Sequence, residues 1–193
     1  MEDKFDLLKA SLGEVRVKEG ELLKYHTFSK LGGPAEFFYI ATSQRELIQS
    51  LNTSYELNIP FFLIGSGTKI LIAEAGIKGL VIKNRSNAIK LGAIKGKVGK
   101  DGLGIEEAQI EVDSGTILGK INEYLRSQKL QELTGISSVH STLGGSLFLD
   151  PEIIELTEMI KVWQDGDVFE IAPYELNKQK HIVISAILRV KAK

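Results

Sequence analysis

Residues 61–72 read Phe61-Phe62-Leu63-Ile64-Gly65-Ser66-Gly67-Thr68-Lys69-Ile70-Leu71-Ile72. The first four make a short apolar strand. The Gly-Ser-Gly-Thr turn after them lets successive backbone N–H groups converge on one point and adds a hydroxyl donor, an arrangement that cradles phosphate oxygens. Lys69 contributes a point charge. A strand that ends in a glycine turn is also ordinary architecture, so this stretch alone leaves both readings open. It lacks the third glycine of the dinucleotide fingerprint and the Gly-Lys-Ser/Thr end of a phosphate loop, which removes a plain Rossmann or triphosphatase reading.

Towards the N-terminus, Phe5, Leu7 and Leu8 among charges predict a short amphipathic helix ended by Gly13. Thr27 to Ala35 is turn-rich and opens into Phe37-Phe38-Tyr39-Ile40, a strand buried on both faces. Ser43-Gln44-Arg45-Glu46 has the form of a capping box, with Ser43 and Glu46 bonding each other's amides. The helix it starts should run to about Asn58 and bury Leu47, Ile48, Leu51, Tyr55 and Leu57. With the strand at Gly79-Leu80-Val81-Ile82, the strand–helix–strand alternation predicts parallel pairing.

Beyond Ala88 the pattern changes. Between Ile89 and Val112, Gly92, Gly96, Gly99, Gly102 and Gly104 alternate with Lys90, Lys95, Lys97 and Lys100, predicting a long mobile hairpin connection between two strand-like stretches. Asp113-Ser114-Gly115 should start a helix with the stripe Ile117, Leu118, Ile121, Tyr124 and Leu125, ending near Ser127. A second glycine-rich stretch, Gly135 to Gly145, precedes a hairpin whose turn is Asp165-Gly166, and Ile182 to Leu188 forms a last strand. The expected organisation is therefore an α+β chain of two α/β-type lobes, residues 1–84 and 85–193, split near Ile82 to Ala88. Two glycine turns in different lobes suit one long ligand gripped at their interface.

Composition narrows the function classes. With 24 Lys+Arg against 25 Asp+Glu the formal net charge is -1, so no global field recruits nucleic acid or an anionic membrane. The lysines near Gly96 have no interleaved aromatic residues and read as a solvated loop. There is no cysteine, which excludes thiol nucleophiles and Cys-held metals. No signal peptide and no run of about 18 apolar residues is present, so a cytoplasmic location is expected. His26, His140 and His181 are too scattered for a metal motif. Glu106 and Glu107 point to opposite faces of a strand and cannot share a proton. Trp163, in an alternating strand, reads as core.

Taken in order, several blocks resemble the UDP-N-acetylenolpyruvoylglucosamine reductase (MurB) family. His26-Thr27-Phe28-Ser29-Lys30-Leu31-Gly32-Gly33-Pro34-Ala35 is similar to its Thr-Phe/Tyr … Gly-Gly-Pro-Ala block. Gly65-Ser66-Gly67-Thr68-Lys69-Ile70-Leu71-Ile72, followed by Gly79-Leu80-Val81-Ile82, is similar to its Gly-Gly-Gly-Ser-Asn-Leu-Leu loop and next strand. Leu133-Thr134-Gly135-Ile136 and Leu143-Gly144-Gly145 resemble the two ends of its Gly-Ile-Pro-Gly-Thr-Val-Gly-Gly segment. No block is specific alone; their order from about Leu22 to about Val190 is.

The resemblance implies the two-lobed FAD-binding fold of the vanillyl-alcohol-oxidase type. Carried over by position, the FAD-binding residues would be Gly65, Ser66, Gly67, Thr68 and Lys69, then Gly135, Ile136, Gly144 and Gly145. Lys69 stands where the family has Asn, and Ser137-Ser138-Val139-His140-Ser141-Thr142 replaces a shorter Pro-Gly-Thr-Val. Ser146-Leu147-Phe148 replaces an Asn-Ala-Gly-Ala stretch, and at Pro173-Tyr174-Glu175 only the Tyr of the family's Tyr-Arg-x-Ser segment remains. The sequence given stops at Lys193, where family members continue into a substrate domain that supplies a Ser proton donor and a Glu. No catalytic residue is assigned. Three functions follow as expectations. The first is an FAD-binding protein unable to complete the reductase reaction alone. The second is a minimal NAD(P)H-dependent flavin oxidoreductase, with NADPH as reductant, either acting on another substrate or completed by a separate chain. The third is a flavin-free scaffold.

Overall fold

The computed structural model describes residues 3–99 and 102–193, so Lys100 lies outside the described residues. The chain divides into two units, Met1–Ser86 with Asp165–Asp167, and Asn87–Gln164 with Val168–Lys193.

In the first unit, helix α1 (Lys4–Leu12) buries Leu8 and Leu12 and ends at Gly13, while Leu7 stays exposed. Strands β1 (Lys18–Leu22), β2 (Pro34–Ala41), β3 (Phe61–Ile64) and β4 (Ile77–Asn84) form one sheet in the order β1-β2-β4-β3. The β2–β4 and β3–β4 pairs are parallel, as the alternation predicts, and β1, which the apolar pattern missed, is antiparallel to β2. β1 reads Lys-Glu-Gly-Glu-Leu with no fully buried position; an edge strand of this kind is held by backbone bonds, not by burial. Phe38, Ala35, Ile64 and Val81 of the sheet close a core with Leu23 and Ile72. Ile70-Leu71-Ile72 is coil, with Leu71 82% exposed.

Helix α2 (Gln44–Glu56) starts where expected, the Ser43 hydroxyl accepting the Glu46 amide at 3.3 Å. The return half of the capping box is different. Glu46 Oε2 accepts the amide and hydroxyl of Thr42, both at 2.8 Å, because Arg16 draws the other carboxylate oxygen away at 2.8 Å. The buried stripe also differs: Leu47, Ser50, Leu51 and Ser54 face inward and Tyr55 is exposed. Serine can sit there because its hydroxyl bonds back along the helix, Ser50 to Leu47 O at 2.8 Å and Ser54 to Ser50 O at 2.7 Å.

In the second unit, β5 (Ile89–Gly99) and β6 (Gly102–Asp113) form one antiparallel ladder that runs to Gly99 opposite Gly102. The expected hairpin is there, but most of its expected mobile connection is regular strand. Ladder hydrogen bonds need only the backbone, so glycines weaken such a hairpin without preventing it. The sheet continues β5-β6-β9-β7-β8, with β7 (Thr157–Gln164), β8 (Asp167–Ile171) and β9 (Ile182–Lys191). Asp165 and Gly166 take positive φ, 50° and 97°, as the hairpin turn requires. Trp163 is buried.

Helix α3 (Leu118–Ser127) begins later than Asp113-Ser114-Gly115 suggested, with Ile117 at its N-cap. Asp113 ends β6 instead, its carboxylate accepting the Ala88 amide at 3.0 Å. Leu118, Ile121 and Leu125 pack with Ile110, Val112, Ile160, Val162, Ala186 and Leu188 in one core. Two short helices follow, α4 (Leu143–Ser146), which takes in the end of the glycine-rich stretch, and α5 (Pro151–Leu156) beyond it. Proline at the first helical position of α5 costs no hydrogen bond.

Candidate functional site

The five residues of the first predicted set leave the carboxyl end of β3, the end of a parallel sheet where ligands characteristically bind. Gly65, Ser66 and Thr68 are half-buried, Gly67 is buried and Lys69 is exposed. Gly67 has φ of +75°, and a Cβ there would stand 2.3 Å from the His26 carbonyl oxygen. The Phe28 amide donates to Gly67 O at 3.0 Å. The two distant blocks, 26–35 and 65–72, are thus interlocked by backbone at a point where only glycine fits. Ser66 Oγ and Thr68 Oγ1 lie 3.1 Å apart across the turn.

Beneath this turn lies a polar group the sequence reading did not single out. Lys83, opposite Ile64 in the β3–β4 register, is half-buried. Its Nζ donates to His26 O at 3.3 Å and meets His26 Nδ1 at 3.4 Å. An ammonium only donates, so Nδ1 accepts and the ring proton sits on Nε2, which donates to Glu21 Oε1 at 2.9 Å. The imidazole stacks on Phe38, 4.3 Å between ring centres. The hydrogen bond from His26 holds the Glu21 carboxyl below the usual carboxylate range. Burial, with Arg85 nearby, lowers the Lys83 pKa. A lysine in an apolar run carries no periodicity signal; only the strand register brings it under the turn.

The second predicted set belongs to the second unit. Gly135 is exposed, with φ of +68° and a built Cβ 2.8 Å from Glu152 Oε1. Ile136 packs against the core. Gly144 and Gly145 sit in α4. The Gly144 amide donates to Ser114 O at 2.8 Å, and a Cβ on Gly144 would stand 3.0 Å from the Ser114 Cβ, so this glycine allows a close approach between chain segments. Gly145 is exposed and meets little, a built Cβ lying 3.5 Å from Thr142 Oγ1. The Leu143 amide donates to Thr116 O at 2.8 Å and the Leu118 amide to Ser141 O at 2.9 Å, which knits 114–118 to 141–144. Thr116 Oγ1 and Ser141 Oγ within this knot, and Ser146 Oγ just beyond it in α4, are buried with no hydrogen-bond partner. Buried hydroxyls are ordinarily paired, so three such groups along one backbone junction are suited to a polar ligand.

Tyr174, the residue retained from the Tyr-Arg-x-Ser segment, is 88% exposed in a single turn, Pro173–Glu175. Among the described residues no group of three His, Asp or Glu could hold a metal ion. No helix among them is long and apolar enough to cross a membrane.

The profile of a family described as FAD binding domain matches residues 35–148, which takes in β2, the 65–69 turn, Gly135, Ile136, Gly144 and Gly145. The chain belongs to the FAD-binding domain family. The UDP-N-acetylenolpyruvoylglucosamine reductase of Clostridium tetani is 29% identical over 195 residues, an alignment that covers 93% of this chain and 59% of that protein. The chain thus spans about three-fifths of the length of this relative. The crystal structure of the corresponding reductase (MurB) from Thermus caldophilus superposes with a TM-score of 0.60 at 22% identity, over 92% of this chain and 62% of that one. That of p-cresol methylhydroxylase gives 0.64 at 15% identity, over 100% and 44%. The fold is therefore the MurB and vanillyl-alcohol-oxidase type of FAD-binding domain, in agreement with the resemblance read from the sequence.

Proposed function

We propose that this chain binds FAD as the flavin-binding part of an oxidoreductase similar to MurB, and that it does not complete reduction of UDP-N-acetylenolpyruvoylglucosamine alone. The observation that carries the reading is the match of the FAD-binding family across both glycine-rich stretches. Gly65, Ser66, Gly67, Thr68 and Lys69, with Gly135, Ile136, Gly144 and Gly145, are assigned to the cofactor. The residues present fit that group: the 65–68 turn supplies amides and two hydroxyls, and the hydroxyls of Thr116, Ser141 and Ser146 lack partners. Gly144 serves through its closeness to Ser114, since its amide is already bonded.

Bound FAD would supply hydride transfer, with NADPH as the reductant. Hydride delivery to an enol ether also needs a positioned acid, whose loss costs typically about 10²–10⁴-fold in rate. Glu175 stands where the family's Arg is expected, which supports a chain that binds flavin without finishing the reaction by itself. A role in peptidoglycan synthesis in the cytoplasm belongs to the same reading.

Purified protein incubated with FAD and desalted is expected to keep a flavin absorption band, and FAD at 100 times its Kd should stabilise the fold by about 2.7 kcal/mol. With NADPH and UDP-N-acetylenolpyruvoylglucosamine it should yield no reduced product. A colourless protein with unchanged thermal unfolding would remove the cofactor assignment, and product formation would remove the claim of incompleteness.

A further inference from the structure

Lys83 is the unexplained charge of the first unit. It sits at the carboxyl end of β4, the strand beside β3, and so at the same end of the parallel sheet as the Gly65–Thr68 turn. Its Nζ touches His26 O, the atom against which Gly67 is packed. Two contacts therefore bring the ammonium within roughly 7 Å of the Gly67 backbone, adding one hydrogen-bond length to one close packing distance. Among the described residues no carboxylate pairs with it; its polar partners are a neutral imidazole nitrogen and a carbonyl. Half-burying an ammonium without a counter-charge costs free energy, and proteins ordinarily pair such a group or reserve it for a ligand.

The surroundings fix its position. The Nε2–H bond to Glu21 orients the His26 ring, and stacking on Phe38 restrains it, so Nδ1 presents its lone pair to Nζ. A lysine held at one end this way loses little further side-chain entropy when an anion arrives.

We infer that Lys83 is the fixed cation of the anion site formed by the Gly65–Thr68 turn, and that the group it takes is a diphosphate. This rests on the FAD-binding reading given above, and it extends that reading to a residue outside the glycine turn. The turn amides and one hydroxyl of the bonded Ser66–Thr68 pair offer neutral donors to such a group. Lys83 adds a half-buried positive charge beneath the turn, and Lys69 stands exposed at the end of the same turn.

The test compares the wild-type chain with Lys83→Met, which keeps the length of the side chain and removes the charge. Dissociation constants for FAD, ADP, inorganic pyrophosphate and riboflavin are measured by calorimetry at low and high salt. FAD, ADP and pyrophosphate are expected to bind about tenfold more weakly to Lys83→Met, a loss of about 1.4 kcal/mol, with a shallower salt dependence. Riboflavin, which has no phosphate, should bind both proteins equally. Equal FAD and pyrophosphate affinities in the two proteins would overturn the assignment while leaving FAD binding intact. Equal losses for riboflavin and FAD would also overturn it, since a merely structural lysine would have that effect. If the wild type binds no FAD, the functional reading fails by itself. Pyrophosphate then decides for Lys83: binding that Lys83→Met weakens sustains the anion site, and no binding to the wild type overturns it. Should Lys83→Met fold poorly, Lys83→Gln provides the same comparison with a polar neutral side chain.

Discussion

Gly67 and His26 are pressed together so closely that a single methyl group could not be placed between them: a Cβ on Gly67 would stand 2.3 Å from the His26 carbonyl oxygen. Gly67→Ala must therefore shift backbone as well as force alanine into φ of +75°. The expected cost is about 3 kcal/mol, read as a lower urea midpoint with an unchanged m-value. Gly145→Ala is the complementary variant. Its new Cβ meets only Thr142 Oγ1 at 3.5 Å, inside a helix, so stability should stay level or rise by up to about 1 kcal/mol. Any loss of FAD affinity in Gly145→Ala then reports a ligand contact and not a damaged fold.

The buried hydroxyls give a second expectation. Ser146 Oγ lies in the second-unit core with no partner, and a buried polar atom left unbonded is a net cost. Ser146→Ala should leave the ligand-free protein as stable or more stable, by up to about 1 kcal/mol, in thermal unfolding without FAD. In excess FAD the variant should gain less stabilisation than the wild type if the hydroxyl serves the cofactor.

Acid should weaken the first unit through Glu46. The hydrogen bond from Arg16, with those from Thr42, holds the Glu46 carboxyl at about 2, below the ordinary 4.5. Because the folded value is depressed, this contribution is complete above about pH 4.5 and is lost as pH falls towards 2. Arg16 is 41% exposed on its side chain, so solvent screening reduces the effect to about 1 kcal/mol. Glu46→Gln should lower stability at pH 7 by about that amount and flatten the decline between pH 5 and 2, measured by urea titration at each pH.

Two isoleucines of α3 separate the expected stripe from the observed one. Ile121 is fully buried and Ile117, at the N-cap, is 39% exposed. Ile121→Ala should cost about 3 kcal/mol. Ile117→Ala should cost under about 1 kcal/mol. Equal losses would mean that the helix starts nearer Asp113, as its sequence first suggested.

Where the sequence was read correctly, local chemistry was sufficient. Ser43 caps α2, Asp165-Gly166 turns a hairpin, and the apolar runs 37–40 and 79–82 become parallel neighbours because each has side chains fit for burial on both faces. The errors arose where a partner decides. Glu46 left the capping box for Thr42 and Arg16, which is 30 residues away. Gly92 to Gly104 looked like a loop by composition, but pairing across β5 and β6 costs glycine entropy without forbidding the ladder.

The sequence by itself determined the parallel pairs of the first sheet, the hairpins and the family of the chain, since strand runs, turn glycines and block order are all local or serial properties. Only the tertiary structure decided which polar groups gather: Glu21, His26 and Lys83 under the glycine turn, and Thr116, Ser141 and Ser146 along one backbone junction. The physical reason is that strand register and close backbone approach join residues far apart in sequence, as with His26 and Lys83, 57 positions apart. A side chain that meets its partner across such a distance leaves no periodic trace in the chain that carries it.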